Sequence, residues 1–389
     1  MKQTGKRLTA ILLALTCGLS LIGCAGQDGN SNTESSDIAA SQEQELQDMK
    51  NSLSDVISNS GFKGITFVSR NDETLLLKST GFSDEERTEQ LDENTAFCLA
   101  DNTKQFTAAA VMWMLHREKV SIADKLSKFF PDCAYGDRVS IHQLMCMRSG
   151  IPDYLTTTDK NGTHSLLPSD QLPVSVSEKA GAEKNKKAIQ DYILSRELSF
   201  RPGTKAEYSN SNYFLLARII EIVSGKTFEE YVQQYVFDPL EMKQTGFTET
   251  YDGTLACTVM KDTGQEYVYY PGVGFGSMNL VSTLHDLRLW AASFRTYLVL
   301  TKDDIADMVY NNSDKSDAFS YGYGLMLDQY EEAFFHTGTA ASFASMLYVR
   351  KTENTCFILL TNHPDTNIEL VGTRLANVLF PGAETLDEE

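Results

Sequence analysis

Strand-like stretches crowd the two ends of this chain and helix-like stretches fill its middle, which limits the folds open to it. Ile65-Thr66-Phe67-Val68 and Thr74-Leu75-Leu76-Leu77 flank the turn-like Arg70-Asn71-Asp72-Glu73, so Gly64 to Ser79 reads as a β-hairpin. After about residue 265, Gly-rich turns alternate with strand-like runs. Ala344 to Val349 and Thr355 to Leu360 are the clearest strands, and Asn367 to Leu379 reads as a closing helix. Between them lies a helical block of roughly 98–262. This layout predicts an α+β fold: one antiparallel sheet built from both chain ends, flanked by helices, with a helical subdomain inserted. The sheet part would comprise about 47–97 and 263–381.

Within the helical block, Phe106, Ala109, Ala110, Met112 and Leu115 recur at helical spacing from Gln105 to Glu118. Ile141 to Met147 reads as a short helix stopped by Ser149-Gly150-Ile151-Pro152. Tyr213 to Val223 ends at Gly225, and Thr227 to Val236 is expected to be halted by Pro239. Residues 157–187 are polar, with Lys and Glu clustered, and read as an exposed loop or lid.

The N-terminal stretch reads as a targeting segment. Lys2, Lys6 and Arg7 precede a mostly apolar run from Leu8 to Leu21, and Leu21-Ile22-Gly23-Cys24 resembles a bacterial lipobox. Residues 1–23 are expected to be a lipoprotein signal peptide, with Cys24 lipidated and the chain held on the outer face of the cytoplasmic membrane. The run is shorter than the roughly 20 apolar residues a spanning helix needs. Residues 24–46, rich in Ser, Gln, Asn, Asp and Glu, read as a disordered tether, and the folded domain as 47–381.

The net charge of −19 argues against nucleic acid as a partner, and against charge-driven binding to anionic lipid. Cys98, Cys133, Cys146, Cys257 and Cys356 are odd in number and lack metal-type spacing, so buried thiols are expected, although one bridged pair stays open. His116, His142, His164, His285 and His363 also lack metal spacing, and no metal or cofactor is expected.

Asp101-Asn102-Thr103-Lys104 opens the helix that carries Phe106. Residues i and i+3 share a helix face, so Asp101 and Lys104 are expected to meet. Alone, such a pair reads as a surface ion pair, or Asp101 as a helix N-cap. Two further motifs follow in order. Tyr208-Ser209-Asn210 comes after Phe200-Arg201-Pro202-Gly203 and before the helix from Tyr213, and His336-Thr337-Gly338 leads into strand residues through Arg350. With Ser at 101 the first would be a Ser-x-x-Lys nucleophile motif. Ser60-Gly61-Phe62-Lys63 has that spacing too, but no helix follows it, and it reads as chance.

In this order the three motifs resemble the β-lactamase-related family, which includes class C β-lactamases, D-alanyl-D-alanine carboxypeptidases, penicillin-binding proteins and related esterases. Flanking segments are similar as well: Met147-Arg148-Ser149-Gly150-Ile151-Pro152-Asp153-Tyr154, Phe237 to Met242, Val281 to Leu287, Tyr321-Gly322-Tyr323-Gly324 and Leu360-Thr361-Asn362. The resemblance covers about 60–380. It implies a β-lactamase/transpeptidase-like fold with Asp101 at the acylated position. Lys104 and Tyr208 would be the proton-shuttling pair, and Asn210 would bind a substrate amide. His336, Thr337, Gly338 and Thr339 would form an edge strand that binds the substrate, with the Thr339 N–H as an oxyanion donor. The family's Gly before an aromatic is here Ser342-Phe343.

A carboxylate is a poor acyl-transfer nucleophile, because its tetrahedral adduct expels the carboxylate before an alkoxide or amine. Beside Lys104 it also favours the charged ammonium. The resulting expectation is a silent relative that binds an acyl or peptide-like ligand, or a protein partner. The alternatives are a hydrolase using Asp101 as general base on water, or a parent protein with Ser at 101.

Overall fold

The computed structural model describes residues 31–84, 86–118, 120–158, 164–167, 169–253, 255–256, 269–328, 332–340, 343–363 and 366–381. The chain divides into two compact units, residues 1–48 and 49–389. The signal segment, Cys24, Cys257 and Ser342 lie outside the described residues.

Helix α1 runs Ser31–Ser60. Residues 31–46, expected within a disordered tether, are therefore helical. The segment Glu43-Gln44-Glu45-Leu46-Gln47 is made of strong helix formers, and Gln44 bonds Asp48 one turn on at 2.8 Å. Composition did not register this local preference. In the second unit, α1 buries Leu53 and Ile57. Among the described residues, no helix is long and apolar enough to cross a membrane.

The hairpin pairs β1 (Gly64–Arg70) with β2 (Glu73–Thr80). From the far end come β8 (Ser320–Tyr321), β9 (Met326–Leu327), β10 (Ala333–Ala340), β11 (Phe343–Arg350) and β12 (Thr355–Thr361). They form a seven-stranded sheet in the order β2-β1-β12-β11-β10-β9-β8. Every pairing in it is antiparallel, and Ile65 opposite Leu360 joins the two ends of the chain. A sheet built from both ends is thus what the alternation of strands and helices predicts. Helix α10 (Ile368–Leu379) closes the fold, capped by Asn367.

Between the sheet segments lie β3 (Ala96–Cys98), α2 (Thr103–Arg117), α3 (Ile141–Met145), the hairpin β4 (Thr156–Thr158) and β5 (His164–Leu166), α4 (Ala182–Ser195) and α5 (Asn210–Ser224). There follow α6 (Phe228–Val232), α7 (Asp238–Leu240), β6 (Gly246–Phe247), β7 (Leu280–Thr283), α8 (Leu284–Thr296) and α9 (Lys302–Met308). A small second sheet of order β3-β7-β6 ties the start of this block to its end. Helix α2 is buried around most of its circumference. Ala108, Ala109 and Ala110 admit close neighbours, and Phe106 stacks on Trp290 with centroids 4.4 Å apart.

Three expectations change. Residues 157–187 are not simply a loop: they include strand β5 and the start of α4. That helix buries Ile189 and Ile193, while the Asn185 side chain bonds the Pro271 carbonyl at 2.8 Å, so polar residues there are inward-facing and paired. Pro239 does not halt its helix. One wider π-type turn, Gln233–Phe237, precedes it and loosens the turn that the ring would otherwise strike. The region after 265 also holds a helix, α8, whose first turn is capped by the Thr283 hydroxyl accepting from the Asp286 N–H. Cys98, Cys133, Cys146 and Cys356 are free thiols.

Candidate active site

Asp101 lies in a tight turn, Ala100–Asn102, between β3 and α2. Ala100 has φ of 47°, a left-handed conformation unusual for a residue with a side chain. The turn is fastened from both sides. Leu99 donates to the Leu280 carbonyl at 2.8 Å, the Asn102 amide donates to the Ser345 hydroxyl at 2.8 Å, and that hydroxyl donates to the Leu99 carbonyl at 2.7 Å. These bonds hold a sparsely populated conformation and lift the Asp101 side chain off the start of α2.

The Asp101 carboxylate caps no helix. Its Oδ1 accepts from Lys104 Nζ at 2.6 Å and from the Tyr208 hydroxyl at 2.9 Å. Lys104 is wholly buried, and its ammonium also donates to Asn210 Oδ1 at 2.7 Å and to the Ser277 carbonyl at 3.1 Å. Three acceptors around one Nζ fit a charged –NH₃⁺. Burial pulls the Lys104 pKa below its ordinary value, and the Asp101 carboxylate opposes that pull. Burial likewise holds the Tyr208 phenol far above its ordinary value, reinforced by Asp101, so Tyr208 acts as a hydrogen-bond donor.

Asn210 starts α5 and is oriented by a residue that motif reading passed over. Asp153 Oδ2 accepts from the Asn210 backbone at 3.1 Å and from its Nδ2 at 2.9 Å, while Oδ1 accepts from the Leu155 N–H at 2.8 Å. With Nδ2 held by Asp153, Oδ1 of Asn210 must face Lys104. Burial raises the Asp153 pKa, against those donors. Its only signal was an acidic residue in the turn Ile151-Pro152-Asp153-Tyr154.

The third motif arrives on β10. Among the described residues strand β9 pairs with Phe334 and Phe335 alone, so that no described strand lies on the β9-side edge of β10 from His336 onward. His336 and Gly338 share one face of β10, and Gly338 lies against the turn that carries Asp101. A Cβ on Gly338 would lie 2.2 Å from the Leu99 carbonyl oxygen and 2.8 Å from the Asp101 nitrogen, so only glycine lets the strand come this close. Thr337 falls on the other face by alternation, and its hydroxyl donates to Glu369 of α10 at 3.2 Å. Its side chain is committed there and not to Asp101, contrary to the ligand-facing role expected of it. Thr339 is exposed and pairs with Ala344.

His336 is buried. Its Nδ1 lies 2.5 Å from the Thr337 carbonyl, which fixes the proton there and leaves Nε2 to accept from the Tyr321 hydroxyl at 3.2 Å. Burial, aided by Lys104, pushes its pKa down to about 4. The unfolded chain protonates near 6.5. Between those values the unfolded state therefore binds the extra proton. The stabilisation is complete above 6.5, fades as pH falls through 4, and amounts to about 3 kcal/mol. Denaturant melts across this window should show the decline, and His336→Gln should flatten it; an unchanged slope in the variant would refute the assignment.

Among the described residues, no group of three or more His, Cys, Asp or Glu is placed to hold a metal ion.

A buried lysine one turn into a helix, a Tyr-x-Asn at the start of a second helix and a glycine-bearing strand edge define a β-lactamase/transpeptidase-like hydrolase fold. The Beta-lactamase family model matches residues 49–378, and the chain belongs to that family. It is 23% identical to the putative penicillin-binding protein PbpX of Bacillus subtilis (strain 168) over 393 residues, covering 93% of this chain and 90% of that protein. It is 24% identical to Protein flp of Staphylococcus aureus (strain MW2) over 324 residues, covering 75% of this chain but only 58% of that longer relative. A penicillin-binding protein from Bacillus halodurans superposes with a TM-score of 0.70 at 21% identity, covering 84% of this chain and all (100%) of that one. The D-amino acid amidase of Ochrobactrum anthropi SV3, complexed with L-phenylalanine amide, gives 0.69 at 19% identity, covering 85% and 98%. The two structural likenesses establish the fold.

Proposed function

We propose that this chain is an exported, lipid-anchored member of the family in which Asp101 stands at the acylation position, and that its cleft binds an acyl or peptide-like ligand without forming an acyl-enzyme. One observation carries the reading: Asp101 Oδ1 takes up both Lys104 and Tyr208. The two groups that would shuttle a proton are bonded to an anion with no proton to give. A carboxylate beside the Asp101 and Thr339 N–H groups also opposes a developing oxyanion. The anchor rests on the basic start, apolar run and lipobox-like Leu21 to Cys24. Further acyl chains on Cys24 would make attachment stable.

The test is intact mass of the purified chain after exposure to a fluorescent penicillin and a fluorophosphonate, with ester turnover measured alongside. No adduct and no turnover are expected. An adduct on the unaltered chain refutes the reading. Turnover without an adduct, lost in Asp101→Asn, replaces it with direct attack by water.

A further inference from the structure

The charges around Asp101 point to the kind of ligand the cleft accepts. All three hydrogens of Lys104 are committed, to Asp101, Asn210 and the Ser277 carbonyl. That ammonium has none left for a ligand. At the head of the third motif stands His336, whose two ring nitrogens are taken by the Thr337 carbonyl and Tyr321. Neither described basic side chain bonded into this site, Lys104 or His336, therefore offers a free positive charge. Two carboxylates, Asp101 and Asp153, face one ammonium. Asp153 is engaged by three N–H donors. Asp101 differs: among the described residues both of its bonds fall on Oδ1, and its side chain keeps 16% of its surface exposed.

Aromatic side chains pack around Tyr208, which reaches Asp101. Tyr208 packs edge-on against half-buried Phe319, with centroids 6.4 Å apart, and against Tyr321 at 6.2 Å. The segment leading to Phe319 is pinned by Arg148, which donates to Asp317 at 2.8 Å and to the Gly203 carbonyl at 2.8 Å. A net charge of −19 draws cations toward the molecule.

We propose that the cleft recognises its ligand through a protonated amino group seated on the open oxygen of Asp101, and discriminates against ligands that present a carboxylate there. The inference rests on the non-acylating reading of Asp101, since an acylated site would be judged by its leaving group instead.

The experiment titrates two probes, each as both enantiomers, against the full chain in detergent at mildly acidic pH. Phenylalaninamide carries a protonated amine and no carboxylate; N-acetylphenylalanine carries a carboxylate and no amine. Binding is read by calorimetry, and released phenylalanine is followed in the same samples. The amide should bind at least about tenfold more tightly, the scale of a hydrogen bond between charged groups. That preference should vanish in Asp101→Asn and in Asp101→Ala, with melting curves reporting which variants fold. Equal or tighter binding of the acetylated acid, no binding of either probe, or a preference unchanged in a folded variant overturns the proposal. Release of phenylalanine or a mass adduct would instead count against the non-acylating reading and leave the measured preference standing.

Discussion

Asp101→Ser is expected to turn a chain that takes up no penicillin or fluorophosphonate into one that is labelled stoichiometrically. The substitution removes the carboxylate that holds Lys104 Nζ at 2.6 Å and the Tyr208 hydroxyl at 2.9 Å, and supplies a hydroxyl between them. It also removes the charge that opposes burial at Lys104, so the lysine pKa falls further and the amine becomes a better base. The Asp101 and Thr339 N–H groups would then face a neutral side chain. Loss of a catalytic serine in a hydrolase lowers turnover on the order of 10⁶-fold, which sets the scale of what could be regained. Intact mass gives the readout. A folded Ser variant that neither probe modifies would show that the cleft departs from acyl transfer at more than one position.

Lys104→Met should be the most damaging single change in the site, lowering stability by about 3–5 kcal/mol, the range for removing one partner of a buried ion pair. Methionine fills the stem of the lysine but satisfies nothing. Asp101 would lose its counter-charge, and Asn210 Oδ1 and the Ser277 carbonyl would lose their donor. Adding Asp101→Asn should recover part of the loss, because the stranded charge is then gone. Urea denaturation of the parent, both single variants and the double variant closes the cycle. A Lys104→Met loss under about 1 kcal/mol, or no recovery in the double variant, would mean that the pair is solvated far better than its burial indicates.

Much of this site was legible because its residues sit where local geometry is narrow. Asp101 and Lys104 open a helix, Tyr208 and Asn210 open another, and Gly338 marks a strand that must press against the first. Spacing alone brings such residues into register. Asp153 escaped because it acts through Asn210, and nothing in the order of residues says which carboxylate lies beneath an amide. Tyr321 escaped similarly: its segment was noticed only as one that resembles the family, while its hydroxyl serves His336 from 15 residues away. Thr337 was assigned by motif, whereas strand alternation sends its side chain to Glu369. For the fold, long strands at both ends outweighed weaker signals. Helix α8 carries Leu284, Leu287, Trp290, Ala291 and Phe294 on its buried side, but Gly-rich turns before it suggested strands. Polar composition hid α4 because Asn185 and Lys186 are buried with partners, and a disordered tether was read where strong helix formers stand.

The sheet that joins the chain ends also sets the order in which the protein can be completed. Thr361 bonds the Lys63 carbonyl across 298 residues of sequence. During synthesis β1 can pair with β2, yet its other edge waits for β12, which is made only after the whole helical block. Contacts this distant are made late and slowly, because closing the intervening loop precedes any gain from them. Until then the helical middle lacks the completed seven-stranded sheet to pack on, and the nascent chain remains loose enough to be threaded, chaperoned or degraded.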